Sequence, residues 1–210
     1  MNELFSKINE YLKKIESNGK EITTERKEIL KSLAFKVQES LHDKGKANLV
    51  FVCTHNSRRS QLAQALGACI PQFYDIPGVK SFSGGTEVTE IYPTVISCLE
   101  NVGYRIENEG PPRNPKYSFR WAEGGPALMG FSKKISDATN PNSEFIAVMV
   151  CSDADSSCPY VPGAESRVSL PYNDPKKSDG TSDEEQKYSE TRDLISKELS
   201  FVFKLVKENL

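Results

Sequence analysis

The apolar positions of this chain follow two periodicities that alternate along its length. Short, nearly continuous apolar runs are typical of strands buried on both faces of a parallel sheet. Between these runs, apolar residues recur at intervals of three and four, which predicts helices. The alternation predicts a three-layer α/β fold with a four-stranded parallel sheet. The predicted strands are residues 49–52, 79–85, 145–150 and 167–170.

Residues 1–46 carry two further apolar stripes at helical spacing, and the opposite faces of both stripes are heavily charged. We predict an N-terminal helical extension over 1–46, followed by a main domain over 47–210. Two interpretations of the extension stay open. Either its helices pack against the main domain, or they form a hairpin that makes a homodimer or docks a partner.

Residues 107–143 interrupt the alternation and are predicted to be an insert in the main domain. They contain two short strand candidates, 117–121 and 127–131, joined by a Glu-Gly-Gly-Pro turn. This pattern predicts a hairpin at the edge of the sheet or at the mouth of a pocket. Trp121 is expected to anchor the packing of the insert. Further along, Ser182 and Glu185 match a capping box, which predicts the start of a long terminal helix.

The composition argues against nucleic-acid-binding, membrane and secreted proteins. A net charge of -2 and a pI near 5.8 give no argument for binding nucleic acid or an anionic membrane. No apolar run reaches the roughly 18 residues that a membrane span needs. Charges throughout the first residues argue against a secretory signal. Five cysteines in 210 residues fit the reduced thiols of a cytoplasmic protein better than a disulfide framework.

The loop after the first predicted strand, CTHNSRRS, carries the candidate chemistry. A loop that leads from a strand into a helix turns N–H groups toward an anion and favours a thiolate, so Cys53 is expected to be nucleophilic. Arg59 offers a planar fork suited to two oxygens of a tetrahedral oxyanion. Ser60 can hydrogen-bond the sulfur or cap the helix, and we expect both. Asn56 suits a left-handed backbone in mid-loop. The remaining residues of this oxyanion-binding loop are Thr54, His55, Ser57 and Arg58.

The other cysteines are assigned one at a time. Cys69 and Cys98 lie on apolar helix faces and are expected to fill the core. Cys151 ends the predicted strand 145–150, and Cys158 follows in a polar segment. Their six-residue spacing and the presence of only two histidines argue against zinc, so no metal site is expected.

Three motifs together carry a family resemblance. VFVCTHNSRRSQLA resembles the phosphate loop of the low-molecular-weight protein tyrosine phosphatases and of the thioredoxin-coupled arsenate reductases built on the same fold. CSDADSSCP, residues 151–159, resembles the redox segment of those arsenate reductases. Asn173-Asp174-Pro175 is similar to the general-acid loop of both families. The resemblance spans residues 48–206, whereas 1–46 and 107–143 lie outside the typical pattern.

The resemblance implies an arsenate reductase that needs no metal and no bound cofactor. Cys53 would attack arsenate, with Asp174 protonating the departing oxygen. Cys151 would then attack the Cys53 sulfur and release arsenite, and Cys158 would move the disulfide to the Cys151–Cys158 pair. An external thioredoxin-like reductant would reduce that pair. The implied partners are thus a small oxyanion, arsenate or phosphate, and a thioredoxin-like protein.

Two other functions stay open. A low-molecular-weight protein tyrosine phosphatase would hydrolyse phosphotyrosine or a small aryl phosphate through a phosphocysteine, using Cys53, Arg59 and Asp174. A thiol redox-sensing interaction module would respond to oxidant and signal through the N-terminal helices.

The chain departs from the family pattern at several positions. Residues 176–178, Lys-Lys-Ser, stand where the phosphatases commonly carry aromatic residues that grip a phosphotyrosine ring. His55 replaces the usual glycine, and Arg58 stands where a cysteine is common. We expect both of these side chains to face solvent. The insert could supply the missing aromatic contacts from Tyr117, Phe119 or Trp121.

Overall fold

A four-stranded parallel sheet forms the centre of the fold, in the spatial order Val79–Gly85, Ala47–Cys53, Phe145–Met149 and Ala164–Ser169. The structure, a computed structural model, describes residues 3–18, 21–157 and 160–210. The strands are β1 (Ala47–Cys53), β2 (Val79–Gly85), β6 (Phe145–Met149) and β7 (Ala164–Ser169). Every residue of β1 and β6 is buried, so both faces of the central strands are covered. The predicted three-layer α/β fold is therefore confirmed.

Helices precede, connect and follow these strands. They are α1 (Ser6–Ser17), α2 (Thr24–Lys44), α3 (Arg59–Phe73), α4 (Pro93–Glu100), α5 (Ser152–Ser157) and α6 (Glu184–Glu208). A short 3-10 helix, Pro175–Ser178, lies between β7 and α6. Within the described residues, no helix combines the length and apolar character that a membrane span requires.

The predicted capping box at the start of α6 is wrong. The helix begins at Glu184, and Asp183 at its N-cap makes no side-chain capping bond. The Ser182 hydroxyl turns to the Asp183 carboxylate at 3.3 Å instead. Glu184, rather than Glu185, reaches back, and its carboxylate accepts the Gly180 N–H at 2.5 Å. The preceding turn fixes the chain in this position and moves the helix start two residues past Ser182.

Helices α1 and α2 pack against α6. The Tyr11 hydroxyl donates to the Asp193 carboxylate at 2.8 Å, and Arg26 donates two hydrogen bonds of 2.8 Å to the Glu198 carboxylate. Most apolar residues of both helices belong to the same core as the sheet, whereas Phe35 on α2 is exposed. The buried members are Ile8, Leu12, Ile15, Leu30, Leu33, Ala34, Val37 and Leu41. The chain itself therefore covers most of the apolar surface of the two helices.

The insert forms a small antiparallel sheet of its own, in the order β3-β4-β5. Its strands are β3 (Arg105–Asn108), β4 (Tyr117–Arg120) and β5 (Leu128–Gly130). The two predicted strands are thus present, but β3 was not predicted, and the hairpin does not extend the edge of the parallel sheet as a strand. Trp121 is buried and donates its indole N–H to the Gln72 side chain at 2.9 Å. Its predicted role as a packing anchor is confirmed.

Candidate active site

The Cys53 sulfur lies at the end of β1, where the chain leaves the sheet for the oxyanion-binding loop. Cys53 as a whole is 4 % exposed. The backbone N–H of Asn56 donates to Sγ at 3.1 Å, and the Ser60 hydroxyl lies 3.0 Å from it. Hydrogen bonds to sulfur favour the thiolate. The N-cap of α3 is Arg58, so Ser60 lies inside the helix and the predicted capping role for Ser60 is wrong.

The carbonyl groups of the loop point outward, because each one accepts a hydrogen bond from a surrounding element. A trans peptide holds its N–H on the side opposite to its C=O. The N–H groups that follow these carbonyls are therefore held on the side away from the donors, and the Asn56 N–H donates to the Cys53 sulfur. The donors are the Glu87 N–H to Thr54, the Ser132 and Thr89 hydroxyls to His55, the Gln61 side chain to Asn56, and the Tyr92 N–H to Ser57.

Asn56 fixes the bend of the loop. Its φ of 46° lies in the left-handed region, as predicted. Its fully buried side chain accepts the Lys133 N–H at 2.9 Å and donates to the Ser60 hydroxyl at 2.8 Å. Gly85 lies against the same bend, since a Cβ there would approach the Thr54 carbonyl oxygen to 2.6 Å. The loop is therefore held from the insert, from α3 and from the end of β2.

Arg59 lies against residues 172–174. Its guanidinium donates to the Tyr172 carbonyl at 3.0 Å and to the Asp174 carboxylate at 2.6 Å. Asp174 also accepts the Lys176 N–H at 3.1 Å through its other oxygen, at the start of the 3-10 helix. The structure thus brings Cys53, Arg59 and Asp174 to the carboxyl edge of the sheet.

Cys151 lies two residues beyond the end of the neighbouring strand β6 and is fully buried. Strands β1 and β6 are parallel, with Val52 opposite Met149, so Cys53 and Cys151 leave the sheet side by side. The Thr54 hydroxyl lies 3.5 Å from the Cys151 sulfur. Burial raises the pKa of this thiol, but the Ala154 N–H, the Thr54 hydroxyl and the Arg59 charge outweigh burial and hold it below its ordinary value.

The remaining cysteines divide into two cases. Cys69 and Cys98 are buried in the core, as predicted. Burial raises the pKa of Cys69 to about 12, which keeps it protonated. Cys158, predicted as the third member of the redox segment, lies outside the described residues. Among those that are described, no group of three or more His, Cys, Asp or Glu side chains could hold a metal ion.

His55 and Arg58 behave differently from each other. The His55 side chain is 40 % exposed, 3.4 Å from the Glu87 carboxylate, in line with a solvent-facing position. Arg58 is only 12 % exposed, so the prediction that it is solvated is wrong. It donates to the Tyr188 hydroxyl at 2.6 Å, and its guanidinium lies 4.2 Å from the centre of the Tyr92 ring. The Asp179 carboxylate also accepts a hydrogen bond from the Arg58 guanidinium.

Three residues that support the loop were missed by the sequence analysis. Gln61 and Ser132 are buried at the loop, and Thr89 lies beside them on the surface. Neither a periodicity nor a spacing singles them out. Of the three insert residues that could supply aromatic contacts to a substrate, Phe119 and Trp121 are buried in the core.

Comparisons with known proteins agree with this geometry. No family model matches the chain. An arsenate reductase of Bacillus cereus is 31 % identical over 130 residues, which cover 62 % of this chain and 78 % of the relative. Arsenate reductase 2 of Staphylococcus haemolyticus is 27 % identical over 130 residues, 62 % of this chain and 79 % of the relative.

A solved structure supports the fold. The low-molecular-weight phosphotyrosine phosphatase of Vibrio cholerae superposes with a TM-score of 0.52, covering 78 % of this chain and 98 % of that protein at 14 % identity. At this low identity the solved structure shows a shared fold, whereas the arsenate reductases that match in sequence show the family. The chain belongs to the arsenate reductase family, and its fold is similar to that of a low-molecular-weight phosphotyrosine phosphatase.

Proposed function

We propose that this protein reduces arsenate to arsenite through a thiol–disulfide relay of Cys53, Cys151 and Cys158. The observation that carries the proposal is the placement of two buried thiols at the ends of adjacent strands. One sulfur accepts a loop N–H, and the other lies against the Thr54 hydroxyl of the same loop. Hydrolysis of a phosphoester needs only the first thiol, so the second favours a redox reaction.

The first step is oxyanion binding and attack. The inward N–H groups of residues 55–58 and the Arg59 guanidinium would hold three oxygens of arsenate, leaving arsenic facing the Cys53 sulfur. The thiolate forms an S–As bond, and the As–O bond to one arsenate hydroxyl breaks; with the proton that Asp174 donates, this hydroxyl leaves as water. Ser60, which lies 3.0 Å from the sulfur, would stabilise the thiolate before attack.

The second step reduces arsenic. The Cys151 thiolate attacks the Cys53 sulfur, and the electron pair of the S–As bond stays on arsenic, which leaves as arsenite. A Cys53–Cys151 disulfide forms, so two thiols have supplied two electrons. Cys158 then attacks Cys151 and releases the Cys53 thiolate. The resulting Cys151–Cys158 disulfide would be reduced by an external dithiol protein of the thioredoxin type, which implies a reducing compartment such as the cytoplasm.

The parts outside the family pattern are given structural roles in this proposal. The extension, 1–46, would stabilise the catalytic domain, 47–210, by packing on α6. A homodimer through the extension is not part of the proposal, because α6 and the core already cover most apolar residues of α1 and α2. The insert, 107–143, would support the oxyanion-binding loop.

Phosphatase activity is the second candidate. Cys53, Arg59 and Asp174 suffice to form a phosphocysteine and to protonate a phenol leaving group. Their arrangement around the loop favours this reaction as much as the first step of arsenate reduction. A protein phosphotyrosine is a less favoured substrate, since two of the three insert residues that could grip its ring, Phe119 and Trp121, are buried.

Replacing Cys151 with serine separates the two reactions. With thioredoxin and its reductase supplied, Cys151→Ser should abolish multiple-turnover arsenate reduction and leave the hydrolysis of an aryl phosphate within a few-fold of the parent. Cys98→Ser, a buried thiol on α4, is the matched control and should change neither rate. Arsenate turnover that survives in Cys151→Ser would rule out the relay.

Disulfide mapping by mass spectrometry identifies the steps. After one arsenate turnover without reductant, the parent should contain a Cys151–Cys158 disulfide, and Cys158→Ser should trap Cys53–Cys151. A parent protein that hydrolyses aryl phosphate but leaves arsenate unreduced would favour the phosphatase. A parent with neither activity whose oligomeric state changes on oxidation would favour the redox-sensing module.

A further inference from the structure

The peptide unit between His55 and Asn56 has defined partners on both sides. Its N–H donates to the Cys53 sulfur at 3.1 Å. Its carbonyl oxygen accepts two hydroxyl hydrogen bonds, from Ser132 at 2.9 Å and from Thr89 at 3.0 Å. Because the peptide is planar and trans, the direction of its C=O sets the direction of its N–H. Groups that hold the carbonyl therefore also aim the N–H at the sulfur.

The Ser132 hydroxyl is constrained to donate to this carbonyl. Its oxygen accepts the Thr89 N–H at 2.9 Å, so its own proton is directed elsewhere, to His55. The Ser132 backbone is fixed by the Asn114 side chain, which accepts its N–H at 3.0 Å and donates to its carbonyl at 2.8 Å. Ser132 is 1 % exposed, which excludes water as a competing partner.

We propose that Ser132 and Thr89 are positioning residues that set the reactivity of Cys53 by fixing the His55–Asn56 peptide. We call the two side chains the hydroxyl clamp. Neither touches the reacting atoms, and both act through the one N–H that reaches the sulfur. Ser132 belongs to the insert, so the clamp assigns a function to a segment outside the family pattern. The inference rests on the proposed function only in taking Cys53 as the nucleophile.

Loss of the clamp should weaken the N–H bond to sulfur. Without its hydroxyl partners, the carbonyl is free to rotate, and the N–H leaves the direction of the sulfur. A hydrogen bond to the charged form of a group favours that form. The thiolate of Cys53 would then be populated only at higher pH, and the thiol would react more slowly near neutral pH.

Site-resolved alkylation tests this inference. The full chain is treated with iodoacetamide over a range of pH, and modification of Cys53 is followed by mass spectrometry of its peptide. In Ser132→Ala and in Thr89→Val, the pH midpoint should move up by about half a unit or more, which is about a threefold loss of rate below the midpoint. Thr89→Ser retains the hydroxyl and should restore the parent midpoint.

Ser118→Ala is the matched control, since Ser118 is another buried serine of the insert and is not part of the clamp. It should leave the Cys53 midpoint unchanged. Thr89 is exposed, so Thr89→Val keeps the test decisive even where Ser132→Ala destabilises the fold.

An unchanged midpoint in Thr89→Val and in folded Ser132→Ala would overturn the clamp. A parent that alkylates normally at Cys53 but reduces no arsenate would instead overturn the proposed function, and the midpoints would still decide the clamp.

Discussion

Arg59 and Asp174 form an ion pair at the carboxyl edge of the sheet, with a guanidinium nitrogen 2.6 Å from a carboxylate oxygen. Arg59 is almost fully buried, whereas the Asp174 side chain is about one third exposed. The group proposed to bind the oxyanion is thus already paired with the group proposed to donate a proton. An anion that bound Arg59 would compete with this carboxylate, so the proposal couples oxyanion binding to release of Asp174.

Asp174→Asn should separate these two effects. Removing the carboxylate removes the competitor for Arg59, so inhibition by inorganic phosphate should be as tight as in the parent or tighter. Hydrolysis of aryl phosphates with poor leaving groups should fall by about 10² to 10⁴, the usual contribution of a general acid. Rates measured against leaving-group pKa, together with phosphate inhibition, check both statements.

Asp183→Asn supplies the control for this experiment, because Asp183 is an exposed acid at the start of α6. It should change neither quantity. If Asp174→Asn slows good and poor leaving groups equally, Asp174 is not the proton donor.

Replacing each of the adjacent arginines 58 and 59 with lysine separates a role in anion binding from a role in stability. Arg59→Lys loses the planar fork and should weaken phosphate binding at least about tenfold, since a hydrogen bond to a charged group contributes about 1.5–3 kcal/mol. Arg58→Lys should lower the melting temperature, because it disturbs the contacts with Tyr188 and Tyr92, but phosphate binding should stay within about twofold. Calorimetric titration with phosphate and thermal unfolding measure the two effects. Equal loss of binding in both variants would contradict this division of roles.

The sequence was informative wherever a feature depends on neighbours along the chain. The loop from Cys53 to Arg59 could be predicted because a buried strand and a helix lie directly on either side. The buried strands could be predicted because a run of apolar residues is a local signal. Strand β3 was missed because it has four residues, most of them exposed, and so shows no alternation.

Contacts between distant segments could not be predicted in this way. Ser132 reaches a carbonyl 77 positions away, and Arg58 reaches a tyrosine 130 positions away. A serine in a proline-rich insert gives no sign that it will be buried against a catalytic loop. Likewise, an arginine in an anion-binding loop is expected near the anion or the solvent until the aromatic side chains around it are known.

The Thr54 hydroxyl should influence the pH dependence of alkylation at the Cys151 thiol. The pKa of Cys151 lies below the ordinary 9.0 despite burial, in part because of the Thr54 hydroxyl. Alkylation of Cys151 should therefore reach half its maximal rate below pH 9.0. In Thr54→Val this midpoint should move up, because the hydrogen bond to the thiolate is lost. Thr54→Ser keeps the hydroxyl and should match the parent, and a Thr54→Val midpoint equal to the parent's would exclude the contribution.

The buried Lys133 should make the free energy of unfolding depend on pH. The residue is 3 % exposed and its ammonium lies 4.5 Å from the centre of the Phe131 ring. Burial lowers its pKa from 10.5 to about 8, and the Asp137 carboxylate opposes part of that shift. Below pH 8 the lysine is charged in the folded and the unfolded chain, so the full cost of burying the charge applies. Between about pH 8 and 10.5 the folded chain binds fewer protons than the unfolded chain, and stability rises with pH from this source.

Lys133→Met should therefore stabilise the protein near neutral pH and lose that advantage in alkali. The gain in free energy of unfolding should be on the order of 2 kcal/mol at about pH 7 and should shrink toward zero by about pH 10.5, since both side chains are then neutral in the folded chain. Urea unfolding of parent and variant at the two pH values measures the difference. Lys134→Met removes an exposed neighbouring charge and should show little gain at either pH. A gain for Lys133→Met that does not change with pH would mean that better packing, rather than removal of a buried charge, is its cause.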